Sequence, residues 1–179
     1  MLILEVIDAA KRAGVLIPAR PIAPWAGEPR AFLMCQPLHA AIVTGRSDTD
    51  PKVRGRWAAL EAAISHFIEG GYVTQNLLKQ LTPYKFEHWT LRSTRPRPSL
   101  RVFGRFAMPD VFVGTHVCER PTLGGKWSPQ YEQEKLVCEQ HWKAAGLPDE
   151  PPPGAFSSES FEYSEYITSN ASRNVQVPR

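Results

Sequence analysis

The chain has 179 residues, 42% of them hydrophobic and 22% charged, an ordinary globular composition that supports one domain with arms. Its formal net charge of +3 is too mild to announce nucleic-acid binding by bulk attraction. No apolar run approaches the ~20 residues needed to span a bilayer, so no membrane partner is expected. Cys35, Cys118 and Cys138 are odd in number and lack C-x-x-C spacing. Neither a disulfide framework nor a zinc site is therefore expected, and no metal or cofactor is assigned. The opening MLILEVIDAAKRAG has Glu5 and Asp8 within its apolar run and no basic segment before it. It does not read as a signal peptide, and a cytoplasmic location is the expectation.

In chain order, Leu2, Ile3, Val6, Ile7 and Ala10 recur at helical spacing and predict a short amphipathic helix over residues 2–13. Pro18, Pro21, Pro24 and Pro29 follow, with Trp25 among them. Proline this dense predicts an extended arm pinned by the tryptophan. AFLMC and HAAIVTG read as a strand or paired strands broken at Gln36-Pro37. Asp50-Pro51 supplies an N-cap with proline at the first helical position. Trp57, Leu60, Ile64, Phe67 and Ile68 then define a long helix ending at Gly70-Gly71. Thr74 is expected to cap a shorter helix, QNLLKQL.

Beyond Pro83 the hydrophobic period changes from helical spacing to alternation. Residues 86–92 read as one strand, RPRP as a turn, and residues 100–106 as a second strand. Met108-Pro109-Asp110 makes a tight turn into a third, VFVGTHVC, giving an antiparallel meander. Ser128-Pro129 opens a helix through about Ala145, anchored by Tyr131, Leu136, Val137, Cys138 and Trp142. The Pro- and Ser-rich end carries Phe156, Phe161, Tyr163, Tyr166 and Ile167, which fits an arm that docks as well as free disorder. The chain thus divides into an N-terminal helix and Pro-rich arm (1–30), an α+β domain (31–146) and an acidic, aromatic tail (147–179).

Charge is unevenly distributed along this frame. Residues 85–126 hold eight basic side chains against three acidic ones, whereas residues 147–166 hold five acidic side chains and no basic one. A basic face and an acidic tail, each suited to a partner, are implied.

Trp89-Thr90-Leu91-Arg92 looks like an aromatic-x-Leu-Arg strand, and Leu100-Arg101-Val102-Phe103-Gly104-Arg105-Phe106 like an Arg-apolar-apolar strand. Residues Val111 to Arg120 form an apolar strand ending in basic character. Together with the order strand, long helix, short helix, three antiparallel strands and final helix, these segments resemble the RelE superfamily of ribosome-dependent mRNA interferases. Within it, the likeness is to the HigB-type and phage-derived branches. The resemblance implies a small antiparallel-centred sheet packed against two N-terminal-side helices and one C-terminal helix. It also implies endoribonuclease activity without metal, with mRNA, the ribosome and a helix-turn-helix antitoxin as partners. On the matching strands, Arg101 and Arg120 would clamp the scissile phosphate and Tyr131 would sit at the start of the last helix. His88 and Thr90 stand where some members carry lysines. His88 is the candidate proton-transfer group, because an ordinary imidazole titrates near neutrality.

Arg92, Arg95, Arg97, Arg105 and Lys126 are the expected RNA-backbone contacts, since arginine's planar fork suits phosphate and such contacts orient without specifying sequence. Each residue also has a plainer reading, as a solvated strand arginine, a half-buried histidine or a tyrosine seating a helix. Two non-catalytic readings stand beside the enzyme. One is a relative that binds RNA or a protein without cutting. The other is an interaction protein whose arms join subunits into a homo-oligomer. The alternating Glu159, Phe161, Glu162, Tyr163, Glu165 and Tyr166 suit a segment that mimics a nucleic-acid strand over the arginines, as an antitoxin arm would, and a solvated tail is the plainer reading.

Overall fold

A computed structural model describes residues 2–22, 29–82, 86–125, 128–149 and 166–171. Among these residues the chain forms four helices, α1 (Ile3–Arg12), α2 (Gln36–Arg46), α3 (Pro51–Ile68) and α4 (Pro129–Ala144). They pack on a sheet of six strands: β1 (Leu16–Pro18), β2 (Ala31–Cys35), β3 (Leu78–Gln80), β4 (Trp89–Arg92), β5 (Leu100–Met108) and β6 (Val111–Glu119). The order across the sheet is β1-β2-β6-β5-β4-β3. Only β2 and β6 run parallel, and every other neighbouring pair is antiparallel. The fold is α+β, the class expected from the sequence.

Strand alternation divides the side chains between two faces. Phe32, Trp89, Leu91, Val102, Phe106 and Phe112 point to one side, where Leu38 and Ile42 of α2 and Leu60, Ile64 and Phe67 of α3 cover them. Leu33, Cys35, Ala107 and Val113 point to the other, against Ile7 and Ala10 of α1 and Trp142 of α4. Helix α3 begins where the sequence places it: Asp50 accepts a hydrogen bond from the Lys52 N–H at 2.8 Å, and Pro51 follows. Helix α2 approaches α3 so closely that a Cβ at Gly45 would lie 2.1 Å from the Trp57 ring.

Two elements differ from the sequence expectation. HAAIVTG belongs to α2, because Pro37 stands in the first helical turn, where its missing N–H costs nothing. QNLLKQL is a turn followed by β3, which is made by pairing Leu78, Lys79 and Gln80 with Leu91, Thr90 and Trp89 of β4. Strand β4 itself begins at Trp89 rather than Phe86.

The N-terminal segment contributes structure of the same sheet, since β1 pairs with Leu33–Cys35 of β2. The tail docks as well. Val73 forms a parallel bridge with Ala171, and the Asp110 N–H donates to the Tyr166 carbonyl at 2.8 Å. Tyr166 packs edge-on against Trp89, ring centres 4.7 Å apart, and its hydroxyl donates to Glu87 at 3.0 Å. Arg30 secures this strap: its side chain is fully buried beside Asp110. It donates to the carbonyls of Phe67 (3.2 Å), Gly71 (2.8 Å) and Ser169. Trp25, Phe156, Phe161 and residues 159–165 lie outside the described residues.

Candidate functional site

Alternation on β4 and β5 that buries Trp89, Leu91 and Val102 on the α2/α3 face turns Arg92 and Arg101 to the α4 face. The two arginines are cross-strand partners. Arg120 follows the end of β6, in a 3₁₀ turn Arg120–Leu123. These three side chains line a cavity of about 310 Å³ together with Lys79, Gln80, Leu81 and Thr82 of the β3 region and Tyr131, Glu132 and Lys135 of α4.

The start of α4 is fixed locally. Ser128 caps it by accepting from the Tyr131 N–H at 3.2 Å, and its hydroxyl donates to the Leu123 carbonyl. The cap ties α4 to the turn that carries Arg120. Tyr131 packs on Phe103 and lies 6.0 Å from the Arg120 guanidinium. Arg120 donates to the Gly124 carbonyl at 2.6 Å. Arg101 donates to the Ser93 and Leu100 carbonyls at 3.0 and 3.2 Å. Such second contacts hold guanidinium groups in place without neutralising them.

The electrostatics of this cluster are unbalanced. Burial, then the neighbouring Arg92, lowers the Arg101 pKa to about 10; Arg120 adds to the effect, and the Tyr131 hydroxyl opposes it. The group stays charged at neutral pH and stands among like charges. An arrangement of this kind attracts a polyanion, whose oxygens would answer several cations at once. Buried Lys135 adds a further ammonium, held by the Thr82 carbonyl and by Glu132 at 2.7 Å. Glu132 is the one carboxylate among the described lining residues.

Of the residues singled out in the sequence, Arg92, Arg101, Arg120 and Tyr131 meet at the cavity. His88 does not. It is buried under α4, its Nε2 is 3.3 Å from Glu139, and among the described residues neither ring nitrogen has a hydrogen-bond partner. Burial, then Arg105 and Lys135, lowers its pKa to about 4. At neutral pH the ring is an uncharged core group. Arg105 is buried too, its guanidinium 4.8 Å over the Trp142 ring and donating to the Asp149 carbonyl at 3.2 Å. Arg95 and Arg97 are exposed on the RPRP loop and do not line the cavity. Lys126 lies outside the described residues.

Sequence reasoning missed Lys79, Glu132 and Lys135. Lys79 was hidden by the helical reading of QNLLKQL. Glu132 and Lys135 read as a solvated i, i+3 pair on a helix surface, and nothing local signals that β3 lies opposite. The thiols behave as expected of buried groups: burial raises Cys35 and Cys118 to about 12 and Cys138 to about 11.

The chain matches no family model, and no curated protein matches it at a significant level. No helix among the described residues is long and apolar enough to cross a membrane.

Proposed function

We propose that the chain is an RNA-binding protein of the mRNA interferase type, gripping the RNA backbone in the arginine cavity and cleaving it there. The observation that carries this reading is the meeting of Arg92, Arg101 and Arg120 with Tyr131 around one concavity. Three planar cations beside an aromatic ring suit a phosphodiester flanked by a base or sugar. The element order β2–α2–α3–β3–β4–β5–β6–α4 keeps two helices between the first strand and the antiparallel strands, which is compatible with the RelE-like resemblance, while β3 stands where that resemblance implied a short helix.

Cleavage through the RNA's own 2′-hydroxyl needs a proton acceptor, positive charge on the phosphate and a donor for the leaving oxygen. His88 is too buried to serve. In this reading Glu132 takes the 2′-hydroxyl proton, the arginines stabilise the phosphorane, and the 5′-oxygen leaves with a proton from Tyr131 or Lys135. The phosphorus–5′-oxygen bond breaks as the 2′-oxygen–phosphorus bond forms, leaving a cyclic phosphate and a 5′-hydroxyl.

The test uses the full chain and a labelled single-stranded RNA. Binding should weaken with salt at a log–log slope of roughly −2, as three phosphate contacts on a single strand require. Arg101→Ala and Arg120→Ala should each weaken binding at least tenfold, and Glu132→Gln should bind normally but cleave far more slowly. Equal RNA affinity in wild type and both arginine variants would remove the proposal. Binding without any cleavage would leave the non-catalytic relative as the reading.

Tyr166 lies on the opposite sheet face from the cavity, within the chain's own core. The docked residues 166–171 therefore form a structural strap, and removing them should destabilise the fold.

A further inference from the structure

We infer that His116, Cys118 and Glu134 form a binding site for a zinc-like divalent cation between β6 and α4. This inference is independent of what the arginine cavity binds.

The ligating atoms of these three side chains all lie within 4.8 Å of one another. Zinc bonds of about 2.0–2.3 Å in a tetrahedron keep ligand atoms roughly 3–4 Å apart, so the present set is within a side-chain adjustment of coordination. A bulge creates the arrangement. Phe103 pairs with His116 while Gly104 pairs with Gly114, so Thr115 is the extra residue of β6. That extra residue brings His116 onto the α4 side with Cys118, where its ring stacks on Phe103 at 5.0 Å.

Counting hydrogens points to a cation. The Thr115 hydroxyl has a single proton, which it donates to the Phe103 carbonyl at 3.0 Å. Its oxygen is also 2.9 Å from His116 Nδ1, and with the hydroxyl proton placed on the Phe103 carbonyl it is the ring that donates, from Nδ1, in that contact. The tautomer this fixes turns the Nε2 lone pair toward Glu134, whose carboxylate oxygen is 2.9 Å away. With the ring neutral, two acceptors then face each other at hydrogen-bond distance. A shared proton would serve that pair alone, whereas a divalent cation serves both and the Cys118 sulfur as well.

The donor set selects the kind of ion. Imidazole, thiolate and carboxylate together suit zinc and disfavour magnesium or calcium, which want oxygen throughout. A bound metal displaces the thiol proton. The Thr115 hydroxyl, itself tied to a backbone carbonyl, is the outer partner that a metal-bound histidine requires. His141 stands two turns along α4 from Glu134, half-buried, its ring centre 5.9 Å from that of His116. It is the nearest candidate for a fourth ligand. Arg120 is two residues beyond Cys118, and Tyr131 is one turn before Glu134, so the ion would staple together the two elements that frame the cavity.

Cobalt(II), then zinc, titrated into chelator-treated full-length protein tests this. One equivalent of cobalt should give tetrahedral visible bands and a sulfur-to-cobalt charge-transfer band, both abolished by zinc. Cys118→Ser should lose the charge-transfer band and Cys138→Ser should keep it. His116→Ala should weaken zinc binding by more than tenfold and Thr115→Val by 10- to 100-fold. Wild-type Tm should rise with zinc, a readout that needs no variant to fold. A wild-type protein with no cobalt bands and an unchanged Tm would leave a His116–Glu134 ion pair and overturn the proposal. So would a charge-transfer band lost with Cys138→Ser instead of Cys118→Ser.

Discussion

On the α2/α3 face of the sheet, Phe32, Phe67, Trp89, Phe106, Phe112 and Tyr166 meet in edge-to-face and tilted contacts, with centroids 4.7–6.4 Å apart. On the α4 face, the same strands present Arg92, Arg101, Arg105, His88 and His116 beneath a helix that contributes Glu134, Lys135 and Glu139. One layer is an aromatic cluster that closes around Arg30 and the Tyr166–Glu87 pair; the other joins an apolar cluster under α1 and Trp142 to a set of polar groups under α4. Residues adjacent on β5 serve both, Val102 inward to the aromatics and Arg101 outward to the cavity. The difference teaches where to look for each property. Substitutions on the first face should change stability, and those around the cavity should change binding.

The largest expected effect comes from Arg30, the cation of the aromatic side. Arg30→Met should destabilise the protein by about 3–5 kcal/mol in urea unfolding, because it strips charge-assisted partners from three carbonyls and from Asp110. A loss below about 1 kcal/mol would show that the strap holds without its clamp.

The next is a pH effect on the polar side. The unfolded chain takes up the His88 proton below pH 6.5, whereas the folded chain resists it until about pH 4. Stability is therefore complete above pH 6.5 and falls as pH drops toward 4, by roughly 3 kcal/mol for this group. His88 faces Arg105 on β5 and Lys135 and Glu139 on α4. Urea midpoints across that range should decline in wild type and decline less in His88→Gln. Parallel curves would assign the acid sensitivity elsewhere.

A smaller effect tests how tightly the aromatic side is filled. A Cβ at Gly114 would lie 2.6 Å from Leu38 and 2.9 Å from both Phe32 and Val102. Gly114→Ala should cost about 1–3 kcal/mol through overpacking, read as a lowered Tm.

The smallest effect has the opposite sign. Arg101→Gln removes a cation crowded by Arg92 and Arg120, so stability should stay level or rise by up to about 1 kcal/mol while RNA binding falls. Destabilisation beyond that would make Arg101 a structural residue and blur the division between the two faces.

How far the sequence reveals this layout differs by element. Helices α3 and α4 announce themselves through Asp50-Pro51 and Ser128-Pro129, and β5 and β6 through alternation. Helix α2 is obscured because AFLMC and HAAIVTG are both apolar, and a proline between two such runs marks a break as readily as a helix start. Strand β3 exists through its pairing with β4, a tertiary cause that no local pattern encodes. The same contrast governs the cavity. Arg92 and Arg101 follow from strand parity, Arg120 from its place just past β6, and Tyr131 from its place after the cap. His88 and Arg105 share that parity but lie under later turns of α4, whose path over the sheet the sequence does not state. His116, Cys118 and Glu134 sit on two elements, so their spacing resembles no metal motif.

The Tyr166 strap has a consequence for how the chain matures. Synthesis proceeds from the N-terminus at about 5–20 residues per second, and domains fold as their parts emerge. Strands β4 to β6 and helix α4, with every arginine of the cavity, leave the ribosome before residues 166–171. A nascent chain at that stage carries its basic concavity on a sheet whose opposite face, at Trp89 and Phe106, is still open to water. The aromatic layer closes only when Tyr166 and Ile167 arrive, so full resistance to unfolding and to proteases waits for residues 166–171 to emerge.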